Sequence, residues 1–553
     1  MSEGLRVSVR RRVLGVVLSA LAAAVAGVAP VTAGTVPVQA ADASNFQLVG
    51  HNDLYARGMN AASAIYDHYM FVGNRTDAAG IHALAHPGVL IVNIANPANP
   101  TIAGEIAQPA DIAAGYTSRE LRVWPEQKML VVIYFGCSAI LHACVAGTDA
   151  GLQPLQRMAF FDLSGNPANP RLVATYKPST TPHEMYLWID PIHSGRALMY
   201  WTSPNNNVHA LVVTDLSHWK QGVFPEVATF TADPDFVAAH VDGTAYDLRL
   251  HSLSISPDGS RGYLAYLGGG FMVIDTSDLA NAVTTPHIRL VTPVVNRDFW
   301  DNQGAHSAVI IPGTHYVLTT EEIYGKLLIG TQLFGPALSG CPWGWARIID
   351  VADETHPKVV AEYKTAANDA TSCGSVSPII NNFGSFASHN PSIIGDLGFI
   401  DWHSSGLQAI DLADPLHPKS AGHFSPTPLL AVVQEDPALN TGPLAQNKVT
   451  AWSYPIIKNG LIYIVDIRNG VYVLRYTGPR ASEVAAIRQF EGNSNVGDGA
   501  TLSASPLSLG LRRLASAIPG QELTAWPTLV ATLLFFLGAC AFLARSVRGP
   551  RRN

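Results

Sequence analysis

The sequence predicts an all-β fold, a seven-bladed β-propeller, on three observations. Short apolar runs rich in Val and Ile, most of them ending in Asp or Asn, recur seven times along the chain. Turns rich in Pro, Asn and Asp bound these runs, as is typical of strands rather than helices. The copies follow one another at roughly 45 to 65 residues, a spacing that indicates propeller blades.

Each copy supplies the four strands that one blade needs. The sixth copy gives them in order as HNPSII, FIDWH, LQAID and KSAGHF, between His389 and Phe424. The seventh copy gives only three, and NFQLVGH at Asn45 to His51 matches the missing outer strand. An N-terminal strand in this position closes the ring and removes the sheet edges that promote aggregation. The propeller is therefore predicted over residues 44–479.

Three segments of the chain resemble a known repeat. GVLIVNIANPANP, GFMVIDTSD and GLQAIDLADPLHP are similar to the LVIVD repeat, a family of predicted β-propellers in bacterial surface proteins. The resemblance covers most of the chain between its termini. It implies the propeller fold but no activity, because the repeat is a structural signature. The second and third copies depart from it, and in the third Trp219 to Phe224 replaces the Asp-Pro turn.

Composition agrees with a large β-fold and argues against nucleic acid as a partner. The chain has 553 residues, of which 48% are hydrophobic, so apolar side chains are ample for a core. The formal net charge is -7, and no run rich in Lys and Arg lies within the predicted blades. A surface that binds nucleic acid needs clustered positive charge.

Both ends of the chain predict its location. Residues 1–40 combine a basic region with an apolar stretch, which is typical of a secretory signal peptide. Residues 526–544 are about 19 apolar residues without a charge, long enough for a transmembrane helix. The basic tail at 545–553 then places the C-terminus in the cytoplasm. We expect a single-pass protein of the cell membrane, with the propeller outside and a linker at 480–525.

Four cysteines precede the predicted transmembrane helix. An even number of cysteines in an oxidising compartment predicts two disulfides. A bridge between Cys137 and Cys144 would close a small loop, and one between Cys341 and Cys373 would join two insertions of the fifth blade. The alternative of free buried thiols stays open at this point.

Histidines mark one end of the predicted ring. The innermost strand of each blade begins at the end where the long connections emerge, and function concentrates where loops decorate a rigid scaffold. Five histidines fall at or near these strand starts: His51, His183, His251, His306 and His389. Neutral imidazoles that converge there would supply nitrogen donors to a transition metal such as Zn, Cu or Fe.

Other polar and aromatic residues fall at the same rim. The candidate ligand-binding residues are Arg119, Glu120, Glu184, Glu322, Trp402 and His403. A carboxylate beside clustered imidazoles is what metal-activated chemistry needs. The alternative is structural, because a repeated polar residue at a strand start can simply hydrogen-bond the backbone of the neighbouring blade.

Two functions follow from these features. No nucleophile elbow, phosphate loop, HExxH or paired-carboxylate motif occurs within the blades. The first expectation is a membrane-anchored, extracytoplasmic module that binds a protein, glycan or small-molecule ligand through its loop-rich face. The alternative is a metal-dependent hydrolase or oxidoreductase that uses the ring of histidines.

Overall fold

The described part of the chain consists mainly of antiparallel strands. The computed structural model describes residues 40–76, 85–107, 116–136, 157–203, 210–230, 249–267, 269–293, 296, 305–322, 327–329, 332–334, 344–369, 371, 386–435 and 448–497. Helical segments are short and lie in connections: α1 (Ser277–Ala280), α2 (Ala481–Ala486) and three 3₁₀ turns (Leu54–Ala56, Trp219–Gln221, Ala366–Asn368). The prediction of an all-β fold is confirmed.

Two N-terminal strands precede a series of four-stranded antiparallel groups. The N-terminal strands are β1 (Ala40–Ser44) and β2 (Phe46–Asn52). The first group is β3 (Asn60–Tyr66), β4 (Tyr69–Asn74), β5 (Val89–Asn93) and β6 (Thr101–Ile106). The second group is β7 (Tyr116–Trp124), β8 (Met129–Gly136), β9 (Arg157–Asp162) and β10 (Arg171–Tyr176). The third group is β11 (Met185–Ile189), β12 (Ala197–Thr202), β13 (Leu211–Asp215) and β14 (Glu226–Phe230). The fourth group is β15 (Arg249–Ile255), β16 (Arg261–Leu267), β17 (Gly270–Asp275) and β18 (Arg289–Leu290).

The remaining groups repeat this order with additions. The fifth group is β19 (Ser307–Ile310), β20 (Tyr316–Thr320), β23 (Ala346–Asp350) and β24 (Lys358–Tyr363), and it contains an inserted hairpin of β21 (Leu327–Ile329) and β22 (Gln332–Phe334). The sixth group is β25 (Pro391–Ile394), β26 (Leu397–Asp401), β27 (Leu407–Asp411) and β28 (Lys419–Pro426). The last group is β29 (Ala451–Lys458), β30 (Leu461–Asp466), β31 (Gly470–Tyr476) and the N-terminal β2, and β32 (Gln489–Glu491) pairs with the free edge of β29.

The first strands of successive groups are neighbours in space. We call them the inner strands: β3, β7, β11, β15, β19, β25 and β29. Each inner strand lies beside the next one along the chain, and β29 lies beside β3. The groups are therefore arranged about a common axis in the manner of a β-propeller, with the inner strands around that axis.

The core lies between adjacent groups. Leu198 and Tyr200 of the third group pack against Leu264 and Met272 of the fourth, and similar clusters fill the spaces between other neighbours. The last group packs on the first in the same way, in a cluster that includes Val473 and Val72. Because both faces of each sheet are covered, the strands are apolar without alternation, as the sequence shows.

The Asp or Asn that ends most of the apolar runs has a local structural role. The Asn93 Oδ1 accepts a hydrogen bond from the Ala95 N–H at 2.9 Å, and the Asp411 Oδ1 accepts one from the Ala413 N–H at 3.0 Å. The same bond forms at Asp162, Asp215, Asp275 and Asp350. A side-chain acceptor two residues before the donor stabilises a turn, so this part of the repeat serves the connection to the outer strand.

The predicted pairing of the N-terminal strand is confirmed. Strand β2 is antiparallel to β31, with Phe46 opposite Tyr476 and Asn52 opposite Val471. The Phe46 ring also lies 6.2 Å from the Phe399 ring, between the last group and the sixth. Strand β1 adds to the edge of β28. The two ends of the repeat array are thus held together by backbone hydrogen bonds and by apolar contact.

The described part of the predicted linker is folded. Residues 480–497 form α2 and β32, and the backbone of Asn493 and Asn495 bonds to Leu187 of inner strand β11. Among the described residues no helix has the length and apolar character to cross a membrane. The predicted signal peptide, transmembrane helix and basic tail lie outside the described residues, as do the four cysteines of the predicted disulfides.

Candidate metal centre

Backbone hydrogen bonds hold three histidines at equivalent positions. The His183 N–H donates to the Thr202 carbonyl at 2.8 Å, and the His306 N–H donates to the Thr320 carbonyl at 2.7 Å. The His389 N–H donates to the Asp401 carbonyl at 2.9 Å. In each case the acceptor lies on the second strand of the same group. The repeat of the fold therefore brings these side chains to one end of the axis.

Two further histidines reach the same place by local irregularities. His251 lies in β15 where the register with β16 shifts, between Leu250 and Ser252, and such a bulge redirects side chains. His403 follows β26 with a φ of 35°. Its carbonyl accepts hydrogen bonds from the Gly406 and Ala451 N–H groups at 3.0 and 3.1 Å. A positive φ at a non-glycine residue costs about 1–3 kcal/mol and is often found at functional sites.

The five imidazoles form a continuous row. We call His183, His251, His306, His389 and His403 the histidine cluster. Successive ring centroids lie 4.4, 4.0, 4.3 and 5.0 Å apart. The Nε2 atoms of His183 and His251 are 2.9 Å apart. Four of the rings are buried and His183 is half-buried.

Two carboxylates lie against this row. The Glu322 Oε2 is 3.3 Å from the His306 Nε2, and the Glu322 Oε1 is 3.3 Å from the Nε2 of both His389 and His403. The Glu184 Oε1 is 3.7 Å from the His251 Nδ1 and 4.0 Å from the His306 Nε2. Glu322 therefore contacts imidazoles of the fifth and sixth groups, and hydrogen bonds from His389 and His403 help to keep it ionised.

The donor atoms fall into three overlapping groups with the spacing of metal ligands. The groups are His183, Glu184 and His251; His251, His306 and Glu322; and Glu322, His389 and His403. Within each group the donor atoms lie within 4.8 Å of one another. Two nitrogens bound to one Zn ion at about 2.0–2.1 Å lie no more than about 4.2 Å apart, so small side-chain movements suffice for coordination. Imidazole with carboxylate suits Zn, Fe and Cu.

Burial controls the charge of the cluster. It lowers the pKa of His306 well below its usual range and that of His389 to about 4. Burial alone would raise the pKa of Glu322, but contacts with the imidazoles of His389 and His306 hold it well below its usual range. At neutral pH the imidazoles of His306 and His389 are therefore neutral nitrogen donors, the state in which histidine binds metal.

A second layer of polar groups lies behind Glu184. Burial, with the nearby Glu120 carboxylate, raises the pKa of Glu184 to about 8. The Tyr454 hydroxyl donates to the Glu184 Oε2 at 3.4 Å and lies 3.1 Å from the Ser252 Oγ. Glu120 forms an ion pair with the buried Arg122, whose guanidinium also lies over the Tyr454 ring. Such second-layer contacts orient the ligands of metal sites.

An aromatic side chain forms one wall of the cluster. The Trp452 ring is 4.1 Å from the His389 ring and lies parallel to the His403 ring at 5.1 Å. The Arg75 guanidinium lies over Trp452 at 4.3 Å, which is a cation–π distance. Contact with Trp452 fixes the orientation of two imidazole rings, and Arg75 places a positive charge beside them.

Residues 489–497 cross the axis beneath the cluster. Strand β32 pairs with β29, and the Asn493 side chain donates to the Met185 carbonyl of β11. The Asn495 side chain exchanges two hydrogen bonds of 2.7 Å with the backbone of Ile189. Strands β29 and β11 are not neighbours around the axis, so this segment spans it. The segment therefore fills the axis beneath the histidine cluster.

Two of the predicted site residues lie elsewhere, which corrects the sequence expectation. His51 is on the outer strand β2, where its Nε2 faces the Asn469 carbonyl at 2.7 Å. The strand it belongs to completes the last group rather than beginning the first, so His51 cannot join the row. Trp402 is buried in the core between the fifth and sixth groups, and its Nε1 donates to the Phe386 carbonyl at 2.7 Å.

The other predicted residues are at or near the cluster. His183, His251, His306, His389, His403, Glu184 and Glu322 come together as metal-ligand groups. Arg119 and Glu120 are buried on β7, and Glu120 belongs to the second layer. Sequence reasoning missed Arg122, Tyr454 and the segment that includes Asn493. Arg122 lies between Leu121 and Val123 on inner strand β7, and this alternation is a signal that its side chain faces the axis.

Comparison with known proteins gives no family for the chain. No protein-family model matches the chain, and no curated protein matches it. Among solved structures, the chain is similar to the C-terminal WD40 domain of Sif2, with 8% sequence identity and a TM-score of 0.44. The match covers 78% of this chain and 97% of that one.

Proposed function

We propose that the protein is a seven-bladed β-propeller of the LVIVD type whose histidine cluster binds a transition metal, and that it acts as a metal-dependent hydrolase or oxidoreductase. The observation that carries the proposal is the convergence of five imidazoles and Glu322 in overlapping groups of metal-ligand spacing. The donor set suits Zn, Fe or Cu.

The contacts of the ring nitrogens favour metal binding over bracing. The Nε2 atoms of His306, His389 and His403 face one carboxylate at 3.3 Å, and those of His183 and His251 face each other. His403 has a positive φ, a conformation that is often found at functional sites. A bound metal, when present, would act as a Lewis acid or redox centre. Glu184 and Tyr454, which lie beside the histidine cluster, can then hold a proton.

The proposal includes a membrane-tethered, extracytoplasmic location. Its support is in the sequence: the signal peptide at 1–40, the apolar segment at 526–544 and the basic tail after it. Protease treatment of intact cells would degrade an external propeller. If the chain survives protease treatment of intact cells but is degraded in lysed cells, this location is contradicted.

Recognition of a protein, glycan or small molecule at the same end is a second candidate function. Strands β8 and β14 end, and strands β9 and β15 begin, at the end of the axis that carries the histidine cluster, and long stretches of sequence separate them. Loops carried on a rigid scaffold are the usual place for binding. This function predicts that ligand binding survives the loss of metal.

Metal analysis of the full chain tests the principal proposal. The chain is purified without chelators or a histidine tag, and its Zn, Fe, Cu and Mn contents are measured by mass spectrometry. We expect stoichiometric metal in the wild type, a loss in His306→Ala and His389→Ala, and no loss in His356→Ala. His356 is an exposed turn residue bonded to Asp353, which makes it a matched control. Only trace metal in the wild type would overturn the proposal.

A further inference from the structure

We propose that Glu322 bridges two metal ions, so that the histidine cluster is a dinuclear centre. This inference rests on the proposed function, because it requires the cluster to bind metal. It goes further by assigning two ion positions and the ligands of each. His251 and His306 would hold one ion, and His389 and His403 would hold the other.

The division of the donors supports two positions. Glu322 is the one residue shared by the group with His251 and His306 and the group with His389 and His403. Each group is already a set of two imidazoles and a carboxylate, which is a common ligand set for a single ion. In the row of rings His251 and His306 come first and His389 and His403 follow, and Glu322 contacts His306, His389 and His403.

The two oxygens of Glu322 point to different histidines. The Oε2 is 3.3 Å from the His306 Nε2, and the Oε1 is 3.3 Å from the Nε2 of His389 and of His403. If both oxygens of the carboxylate bound the same ion, they would face the same set of nitrogens. Here each oxygen faces its own set, which is the arrangement of a bridging carboxylate.

A single ion cannot use the whole cluster. Nitrogens bound to one ion lie within about 4.2 Å of each other, which is twice the usual bond length. The donor atoms of the cluster divide into three groups of metal-ligand spacing rather than one. One ion would therefore engage a single group, whereas two ions engage both groups that share Glu322.

The neighbouring group offers a further donor to the first position. The His183 Nε2 is 2.9 Å from the His251 Nε2, and the Glu184 Oε1 is 3.7 Å from the His251 Nδ1. Paired ions about 3.5–4 Å apart activate water and stabilise charge on a substrate oxygen. Within the proposed function, a dinuclear centre therefore favours hydrolysis of an ester, amide or phosphate bond.

Metal stoichiometry in the full chain tests the inference. Metal-free protein is titrated with Zn²⁺, Co²⁺ or Mn²⁺, and bound ions are counted by mass spectrometry after gel filtration. We expect two ions per chain in the wild type. We also expect half of that metal in His306→Ala and in His389→Ala, and the full content in His356→Ala. Saturation at one ion overturns the bridge but leaves the proposed function standing, whereas no bound ion overturns both.

Electron paramagnetic resonance of the Mn²⁺-loaded protein provides a second readout, which in the wild type does not depend on the folding of variants. Two ions bridged by one carboxylate give an exchange-coupled spectrum in the wild type. In His389→Ala the remaining ion gives an uncoupled spectrum. Glu322→Gln, which keeps the shape of the side chain, is expected to abolish the coupling. An uncoupled spectrum from wild-type protein that holds two ions would also overturn the bridge.

Discussion

Replacing Glu491 tests whether the segment after the last strand group is part of the folded core. Glu491 ends β32, is only 1% exposed and lies near Arg122 on the filled part of the axis. Burial raises its pKa to about 8, although Arg122 partly opposes this. The carboxyl is therefore protonated in the native state at pH values where it is ionised in the unfolded state.

The sign and size of the effect follow from this difference. Between pH 4.5 and 8 the native state holds one proton more than the unfolded state, so the free energy of unfolding falls as the pH rises. The fall is at most about 1.4 kcal/mol for each pH unit, or about 5 kcal/mol over the whole interval. In Glu491→Gln the side chain cannot titrate, so this part of the pH dependence disappears.

Urea unfolding at pH 5, 6, 7 and 8, followed by tryptophan fluorescence, measures the effect. The stability of Glu491→Gln relative to wild type is expected to rise steadily with pH. Glu483→Gln is the matched control, because Glu483 is exposed on α2 in the same segment. If the free energies of wild type and Glu491→Gln run parallel from pH 5 to pH 8, Glu491 is not the buried acid described here and the segment is not docked.

Three other predictions address the fold and the site. Phe46→Ala should lower the free energy of unfolding by about 3–5 kcal/mol, because Phe46 packs on Phe399 and Tyr476. Replacement of the exposed neighbour, Gln47→Ala, should change it little. Equal effects of the two variants in urea unfolding would contradict the role of β2. Asn93→Ala should cost about 1 kcal/mol in the same measurement, because the turn bond to Ala95 is lost, and an unchanged stability would remove the proposed reason for this repeat residue. Cu²⁺ added to metal-free protein should quench part of the tryptophan fluorescence, because Trp452 lies 4.1 Å from His389. In Trp452→Phe this quenched component should be absent. Identical quenching in both proteins would place the ion elsewhere.

Local features made much of the fold predictable from the sequence. The apolar runs and the turn-forming Asp and Asn residues act within a few positions of themselves, so the strands follow from the chain without knowledge of distant contacts. The pairing of β2 with β31 was predictable because the last copy lacked an outer strand. The folding of 480–497 was not, because Asn493 bonds to residues about 300 positions away and no periodicity marks it.

The site was predictable where it depends on the repeat. His183, His306 and His389 share one backbone position, so the strand order alone places them at one end of the axis. His51 was misplaced because it ends the predicted outer strand but was also counted among the starts of the inner strands, whereas the structure keeps it on the outer strand β2. Trp402 follows β26 with its side chain in the core, where alternation along the strand rather than chemistry decides its direction. The bridging position of Glu322 depends on three separate groups and has no local signature.

X-ray absorption at the K-edge of the metal in the natively purified full chain tests the central claim most directly. A metal held by the histidine cluster predicts a first shell of nitrogen and oxygen with the outer-shell scattering of several imidazole rings. The same spectrum should lose most of the imidazole scattering in a His306→Ala, His389→Ala double variant. Protein without metal, or metal whose spectrum shows no imidazole scattering, would contradict the claim that this cluster is a metal centre.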